Sequence, residues 1–343
     1  MGESMSGEGV KGRAAAPLIR KPESLWASAV RRLLRNRAAV LGLVIIAILF
    51  LTYIFADQIA IKPYDVQVNA DNNAVPQWLS ALLSMTKGYA RVNNAYPLGA
   101  DHLGRDLFSR LVYGTRISLT VALVGPLIAL AIGVAYGSIS GFLGGRVDNI
   151  MMRFVDVMYA FPGILLVILM MAFFRSTFGG QQAAAGTIKA FMAQLDASVG
   201  GMLFIFIGIG MTGWEGVARL TRGQILSLRE KEFVEAARAI GASNRRIMFR
   251  HLLPNAIGPL IVAETLMIPG YINTETFLSF IGLGVMPPTP SWGSMIADGA
   301  RAIRTYPHQA LFPGLALSLT MFAFNFLGDG LRDALDPRMR GTS

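Results

Sequence analysis

Five stretches of this chain run 18 or more residues without a charge: 38–56, 117–145, 157–174, 197–214 and 309–328. A sixth, 256–285, is broken only by Glu264 and Glu275. A helix needs roughly 20 apolar residues to cross about 30 Å of hydrocarbon. Six such windows in 343 residues are too many for the buried helices of one soluble core. Composition agrees: 15% of residues are charged, against about 25% in soluble domains. The first window could be a cleaved signal, but its 19 apolar residues follow a 37-residue basic leader, and signal cores run about 7–15. It reads as a retained anchor. The expected fold is all-α, a polytopic membrane protein with six transmembrane helices.

Despite so few charges, the net charge is +10, a balance that raises nucleic-acid binding. Distribution points elsewhere. With a cytoplasmic N-terminus, the inner segments 1–37, 146–153, 215–255 and 329–343 carry 21 Lys and Arg, and the outer segments carry 10. That is the positive-inside bias, giving an N-in, C-in orientation and no role for nucleic acid. With no cysteine, disulfides, thiolate nucleophiles and Cys-based metal sites are excluded. His102, His251 and His308 are scattered, without metal-ligand spacing.

The chain divides into a basic N-terminal segment (1–37), a first span (38–56), an external loop (57–116), a core (117–329) and a cytoplasmic tail (330–343). The core contains an external insert at 175–196 and a cytoplasmic loop at 215–255. Two readings stay open for the long outer segments, contact with an external partner or simple linkage. Leu103, Leu107, Phe108 and Leu111 predict an amphipathic helix over 101–116 at the outer interface, and 187–195 a second, short one. The leader 1–24 is small, polar and basic, a composition that favours disorder.

The cytoplasmic loop is the most informative segment. Helix formers dominate 216–240, Gly241 breaks the pattern, and a short helix is expected over 244–252. Pro254 disfavours helix at Leu253, and Asn255 is placed to cap the fifth span. The product is a helical elbow with Ala236, Ala237, Ala239 and Ala242 at its bend, where another protein could approach closely.

Glu235-Ala236-Ala237, Gly241 and Leu253-Pro254 resemble the EAA loop of ABC-importer membrane subunits. His251-x-Leu253-Pro254-Asn255 looks like the peptide/nickel branch. The run YPLGADHLGRDLFSRLVYGTRISL at 96–119 is similar to "C"-type dipeptide and oligopeptide permeases. So are GGRVD at 144–148, RFVDVMYAFP at 153–162, LSFIGLG at 278–284, PPTPSWG at 287–293 and DGLRDALDP at 329–337. Residues 66–95 and 175–196 are longer than the family pattern.

This resemblance implies a type I ABC importer permease in a bacterial or archaeal plasma (inner) membrane. Its partners would be a second homologous permease, two ATP-binding subunits and an external solute-binding protein delivering peptides. Nickel complexes or oligosaccharides are the alternative cargo. It further implies that Glu235, Ala236, Ala237, Gly241, Ala242, Arg245 and Arg246 couple the chain to an ATP-binding subunit. No lysine follows a glycine, so the chain lacks the GxxxxGK[S/T] phosphate cradle. It is expected to hold no cofactor itself, with ATP and Mg bound by the partner subunits.

Ionisable groups inside a bilayer are costly and mark functional positions. Glu264 and Glu275 are eleven residues apart, sharing one helical face about 16 Å apart along the axis. With Asn273 they are candidate pathway residues for a cationic peptide terminus. A hydrogen bond or ion pair to a neighbouring span is the other reading. Arg153 and Asp156 are spaced as an i,i+3 pair. Asp329 with Arg332 is expected to close the sixth span in the same way, and Pro254 is structural. Two other classes do not fit the residue pattern. A membrane hydrolase would need its acids and histidines at one depth, and an ion-driven carrier would favour inverted repeats; neither pattern occurs.

Overall fold

The computed structural model describes residues 25–82, 90–178, 187–198 and 200–335. The start of the leader, the glycine-glutamine run 179–186 and the tail from 336 lie outside the described residues. Among the described residues there are helices and two isolated bridges. α1 (Leu25–Arg35) carries Arg31, Arg32 and Arg35 and leaves Val30 and Leu34 exposed. Asn36 ends it and starts α2 (Arg37–Ile54), its Oδ1 accepting the N–H of Ala38 at 3.0 Å and of Ala39 at 3.2 Å. That cap satisfies amides otherwise left without partners at a helix start. α2 lies against the last helix, with Gly42 facing the carbonyl of Ala323.

The segment after α2 is a folded cap. Short helices α3 (Ala56–Ile59) and α4 (Gln77–Leu82) lead through 90–106 to α5 (Leu107–Leu143). Tyr96 is buried, with its hydroxyl on Asp71 at 3.1 Å and the Lys62 ammonium 3.3 Å from its ring centre. Burial, with Asp71 beside it, pushes the Tyr96 phenol up to about 12. Gln309 donates to Asn73 Oδ1 at 2.8 Å and to the Ala100 carbonyl at 3.1 Å, tying the cap to the last span.

The expected separate helix over 101–116 is not formed: 101–106 is a turn, and 107–116 is helical as the first turns of α5. Asp101 folds a turn instead, accepting the N–H groups of Leu103 and Arg105, and Asp106 caps α5 at Ser109 N (2.8 Å). Arg105 and Arg110 are buried, paired with Asp101 at 2.6 and 3.5 Å, and Arg105 lies 3.7 Å from Asp298. Opposite charges held together let both arginines leave the surface. At 37 residues α5 is about 55 Å long, well beyond one bilayer crossing.

The third window is also not one straight span. α6 (Gly145–Ala160) and α7 (Gly163–Phe178) meet at 83° across Phe161-Pro162. Proline disfavours helix at the residue before it, and here Phe161 is extended, with ψ 135°. After α8 (Ile188–Ser198), the fourth span is α9 (Leu203–Gly210) plus α10 (Trp214–Arg229), bent by 42°. Asp196 accepts the Leu203 N–H at 2.9 Å, and burial raises its pKa. The bend falls where Gly213 makes room for the Tyr271 ring, which a Cβ would strike.

α11 (Glu232–Ala239) and α12 (Asn244–Ile247) form the elbow. A single π turn, Met248–Leu252, joins α12 to α13 (Leu253–Phe280). The expected stop at Pro254 therefore does not occur. The widened turn accommodates a residue without an N–H, and Asn255 bonds back to the His251 carbonyl at 2.7 Å instead of capping. α14 (Trp292–Ala300) is started by a Ser291–Ser294 capping box, and Trp292 donates to the Leu111 carbonyl at 3.0 Å over Gly114. α15 (His308–Leu335) closes the bundle. Among the described residues four helices are individually long and apolar enough to cross a membrane, and the total is six if each of the two bent pairs is one span.

Candidate functional site

Three features share one half of the molecule: the elbow, a cavity above it, and the joint that connects them to α5. The elbow is built as a clip. Gly241, at φ +78°, ends α11 with its N–H on the Arg238 carbonyl, and Ala242 N–H returns to Ala237 O at 3.0 Å. This Schellman closure needs the left-handed backbone that glycine adopts without strain. Ser243 then caps α12 at Arg246 N. Val234, Ala237, Ile247 and Leu252 are buried together against Ile225 of α10 and Ala256 of α13.

Outside that small core, Glu235, Ala236, Arg245 and Arg246 are exposed. Glu235 has no side-chain partner among the described residues. Ile240 is 85% exposed, with Phe233 and Phe249 also open. The expected coupling residues thus divide by role. Ala237, Gly241 and half-buried Ala242 shape the bend, while Glu235, Ala236, Arg245 and Arg246 are displayed by it. Ile240, Phe233 and Phe249 belong to the displayed face and were not read from the sequence, although an Ile just before a helix-ending Gly was the available signal. Helix formers alone predict no break at Glu230-Lys231, where α10 ends. Pro254 is exposed in the first turn of α13.

The cavity, about 470 Å³, lies between α10 and α13 and is lined by Glu215, Glu264, Tyr159, Thr212, Tyr271 and Thr274 among others. Glu264 accepts the Tyr271 hydroxyl at 3.1 Å. Glu215 Oε2 is buried without a partner among the described residues. Arg219, one turn beyond Glu215, is held by Asp156 at 2.9 Å and lies 4.4 Å from the Tyr159 ring. The arginine at the cavity edge is thus already neutralised, and the space is acidic.

Of the three expected pathway residues, only Glu264 lines this cavity. Glu275 is fully buried, accepting from Ser279 Oγ at 2.6 Å, and Ser279 meets Ser291 at 3.2 Å. Asn273 is exposed on another face of α13. Both glutamates are buried on the inward side of α13, but Glu275 is enclosed beside Ser279 and the Ser291 turn that starts α14, whereas Glu264 faces the cavity against α10. Glu215 was missed because it sits at the edge of a charge-free window, where it reads as the start of a loop. Asp156 pairs with Arg219 of α10, 63 residues on, and not with Arg153 one turn away, so the pair joins two elements. Asp329 is exposed and forms no ion pair with Arg332 among the described residues.

The joint is a glycine seam. Gly133, Gly137 and Gly141 fall on one stripe of α5 and face α10 backbone and side chains; a Cβ at Gly133 would lie 2.5 Å from Val217 Cβ and 2.7 Å from the Trp214 carbonyl. Small residues four apart let membrane helices approach closely. At its cytoplasmic end Asp148 of α6 takes both Arg222 donors, at 2.5 and 2.6 Å, and the Ser140 hydroxyl. Arg229 adds a bond to the Gly141 carbonyl at 3.2 Å. Two successive positive-φ glycines, Gly144 (65°) and Gly145 (56°), make the turn that presents Asp148.

A bundle of apolar helices long enough to span a membrane, carrying an elbow whose apolar and charged face no other described residue covers, has the architecture of an integral-membrane subunit. The comparisons place it. A family model described as "Binding-protein-dependent transport system inner membrane component" matches residues 133–341, and one described as "N-terminal TM domain of oligopeptide transport permease C" matches 24–76. The oligopeptide transport system permease protein OppC of Bacillus subtilis is 39% identical over 329 residues, covering 95% of this chain and 94% of the relative. OppC of Haemophilus influenzae is 41% identical, covering 92% and 90%. The dipeptide transport system permease protein DppC of B. subtilis is 38% identical, covering 96% and 91%. Among solved structures, a chain of the methionine ABC transporter MetNI in an inward-facing form matches with TM-score 0.50 at 19% identity, over 66% of this chain and 96% of that one. The chain belongs to the family of binding-protein-dependent transport system inner membrane components. It has the type I permease fold and is an inner-membrane subunit of an ABC importer.

Proposed function

We propose that this chain and a second homologous permease form the path by which di- or oligopeptides, delivered by an external solute-binding protein, enter the cell. Two ATP-binding subunits, which hold ATP and Mg, drive it through the elbow. The observation that carries the coupling role is the displayed face of the elbow: Glu235 without a side-chain partner among the described residues, Ala236 permitting close approach, and Ile240 85% exposed beside them. An isoleucine held out by a rigid turn gains by burial; covering it contributes roughly 2 kcal/mol to an interface. Ile240→Asp is expected to weaken co-purification of the ATP-binding subunits by at least about tenfold while leaving this chain in the membrane. Undiminished co-purification would remove the elbow as the dock.

Peptide as cargo rests on the names of the relatives and on the acidic cavity, which suits a protonated amino terminus. Uptake of labelled di- and tripeptides into vesicles holding the assembled transporter tests it. Glu264→Gln is expected to lower uptake about tenfold for peptides with a free amino terminus, the worth of one charge-assisted hydrogen bond, and to change uptake of N-acetylated peptides much less. Equal losses for both would separate Glu264 from amino-terminus recognition, and no uptake of either by the wild type would sink the peptide reading.

A further inference from the structure

On the face of α5 away from the glycine seam, a groove of about 650 Å³ runs between the cytoplasmic half of α5 and the α12–α13 junction. Its walls are apolar: Leu130, Val134, Ile139, Phe142, Leu253 and Ile257 are representative. Three polar side chains interrupt them. Arg245, with Asn244, stands at the elbow end, is the one charged residue of the lining, and has no ion pair among the described residues. Ser138 lies deeper, 5% exposed, and its hydroxyl has no partner among the described residues. A guanidinium beside an apolar channel invites an anion that carries an apolar chain.

We infer that this groove seats one anionic phospholipid of the cytoplasmic leaflet, with its phosphate on Arg245 and an acyl chain along Val134 and Ile139. The charge fits, since basic pockets between spans on the cytoplasmic side bind anionic headgroups. A neutral lipid would leave Arg245 without a counter-charge, and a bare anion would leave the apolar channel unfilled. This assignment rests only on the inner-membrane placement and stands whatever the cargo is. It gives Arg245 to the membrane and leaves Arg246 and Glu235 to the ATP-binding subunit. A lipid there wedges α5 and α13 at the elbow's root, so membrane composition would bear on how the elbow moves.

The test uses the assembled transporter in nanodiscs of phosphatidylglycerol mixed with phosphatidylcholine, and in phosphatidylcholine alone. Native mass spectrometry is expected to show one phosphatidylglycerol retained in preference to phosphatidylcholine. Arg245→Gln should weaken that preference about fivefold, the worth of roughly one charge near an anionic surface. Ala135→Phe, which fills the groove and leaves Arg245 in place, should remove the retained lipid. Because the chain has no cysteine, Ile139→Cys can carry a single maleimide-benzophenone, which should crosslink to phosphatidylglycerol. Equal retention of both lipids by the wild type, or retention unchanged in both variants, overturns the inference. A crosslink to the second permease or to an ATP-binding subunit overturns it in favour of a protein occupant.

Discussion

Gly137→Leu is expected to prevent stable folding, measured as loss of monodisperse protein after extraction and, for any residue that survives, a lower thermal midpoint. A Cβ at position 137 meets the carbonyl oxygen of Ala218 and the Thr221 side chain at once. The first is backbone in the middle of α10 and cannot turn aside as a side chain would. Overpacking a well-fitted core costs about 1–3 kcal/mol when neighbours can shift. Here the shift required is of a whole helix, and it would also pull Gly133 off Val217 and Arg222 off Asp148. The loss should therefore exceed 3 kcal/mol, a large part of the 5–15 kcal/mol that holds a typical domain. Gly223→Ala on the same α10 is the contrast. Nothing lies within 4 Å of its built Cβ, so the substitution should leave stability unchanged or raise it by up to about 1 kcal/mol, the helix propensity difference. If Gly137→Leu behaved like Gly223→Ala, the seam would not be the joint.

The contrast between those glycines also shows what was legible in the sequence. Apolar windows locate the spans because every backbone polar group in hydrocarbon must be satisfied within a helix. They do not show where a span bends. The break at Phe161-Pro162 was readable from the proline, yet the window 157–174 runs across it because hydropathy is blind to φ and ψ. The Gly-x3-Gly-x3-Gly stripe of α5 was present in the sequence as a packing signal, but its partner helix was not. The elbow was legible in outline because Gly241 and the alanines act locally. Its displayed face was not, since exposure of Ile240 depends on which side of α11 meets Ile225. Pairs such as Asp101 with Arg110 are nine residues apart and look like an amphipathic pattern until the turn at Asp101 brings them inside. Asp156 with Arg219, and Asp298 with Arg105, join segments that only the completed bundle brings together. Spacing reaches as far as one helix.

The second large effect is expected at the Asp148–Arg222 clamp, and it should be asymmetric. Asp148 retains 9% side-chain exposure and Arg222 34%. Arg222→Met therefore strands a buried carboxylate, whereas Asp148→Asn leaves a guanidinium that can still reach water. Removing one partner of a buried pair costs about 3–5 kcal/mol; Arg222→Met should approach that range and Asp148→Asn should fall below it. Ser140 and Arg229 soften neither loss fully, because Ser140 donates one bond and the Arg229 donor to Gly141 is already committed. The double variant Asp148→Leu with Arg222→Met removes both charges. Since replacing both members by apolar groups is often close to neutral, it should regain at least half of the stability lost in Arg222→Met. Thermal unfolding of the three proteins measures this directly, and simple addition of the two single losses would show that the residues are not coupled. Peptide uptake reads a different property of the same joint. The clamp fastens the elbow's supporting helix to α5 and α6, so a double variant that folds well should still import poorly: packing alone would hold the helices together without fixing the angle at which α10 delivers the elbow's motion to them.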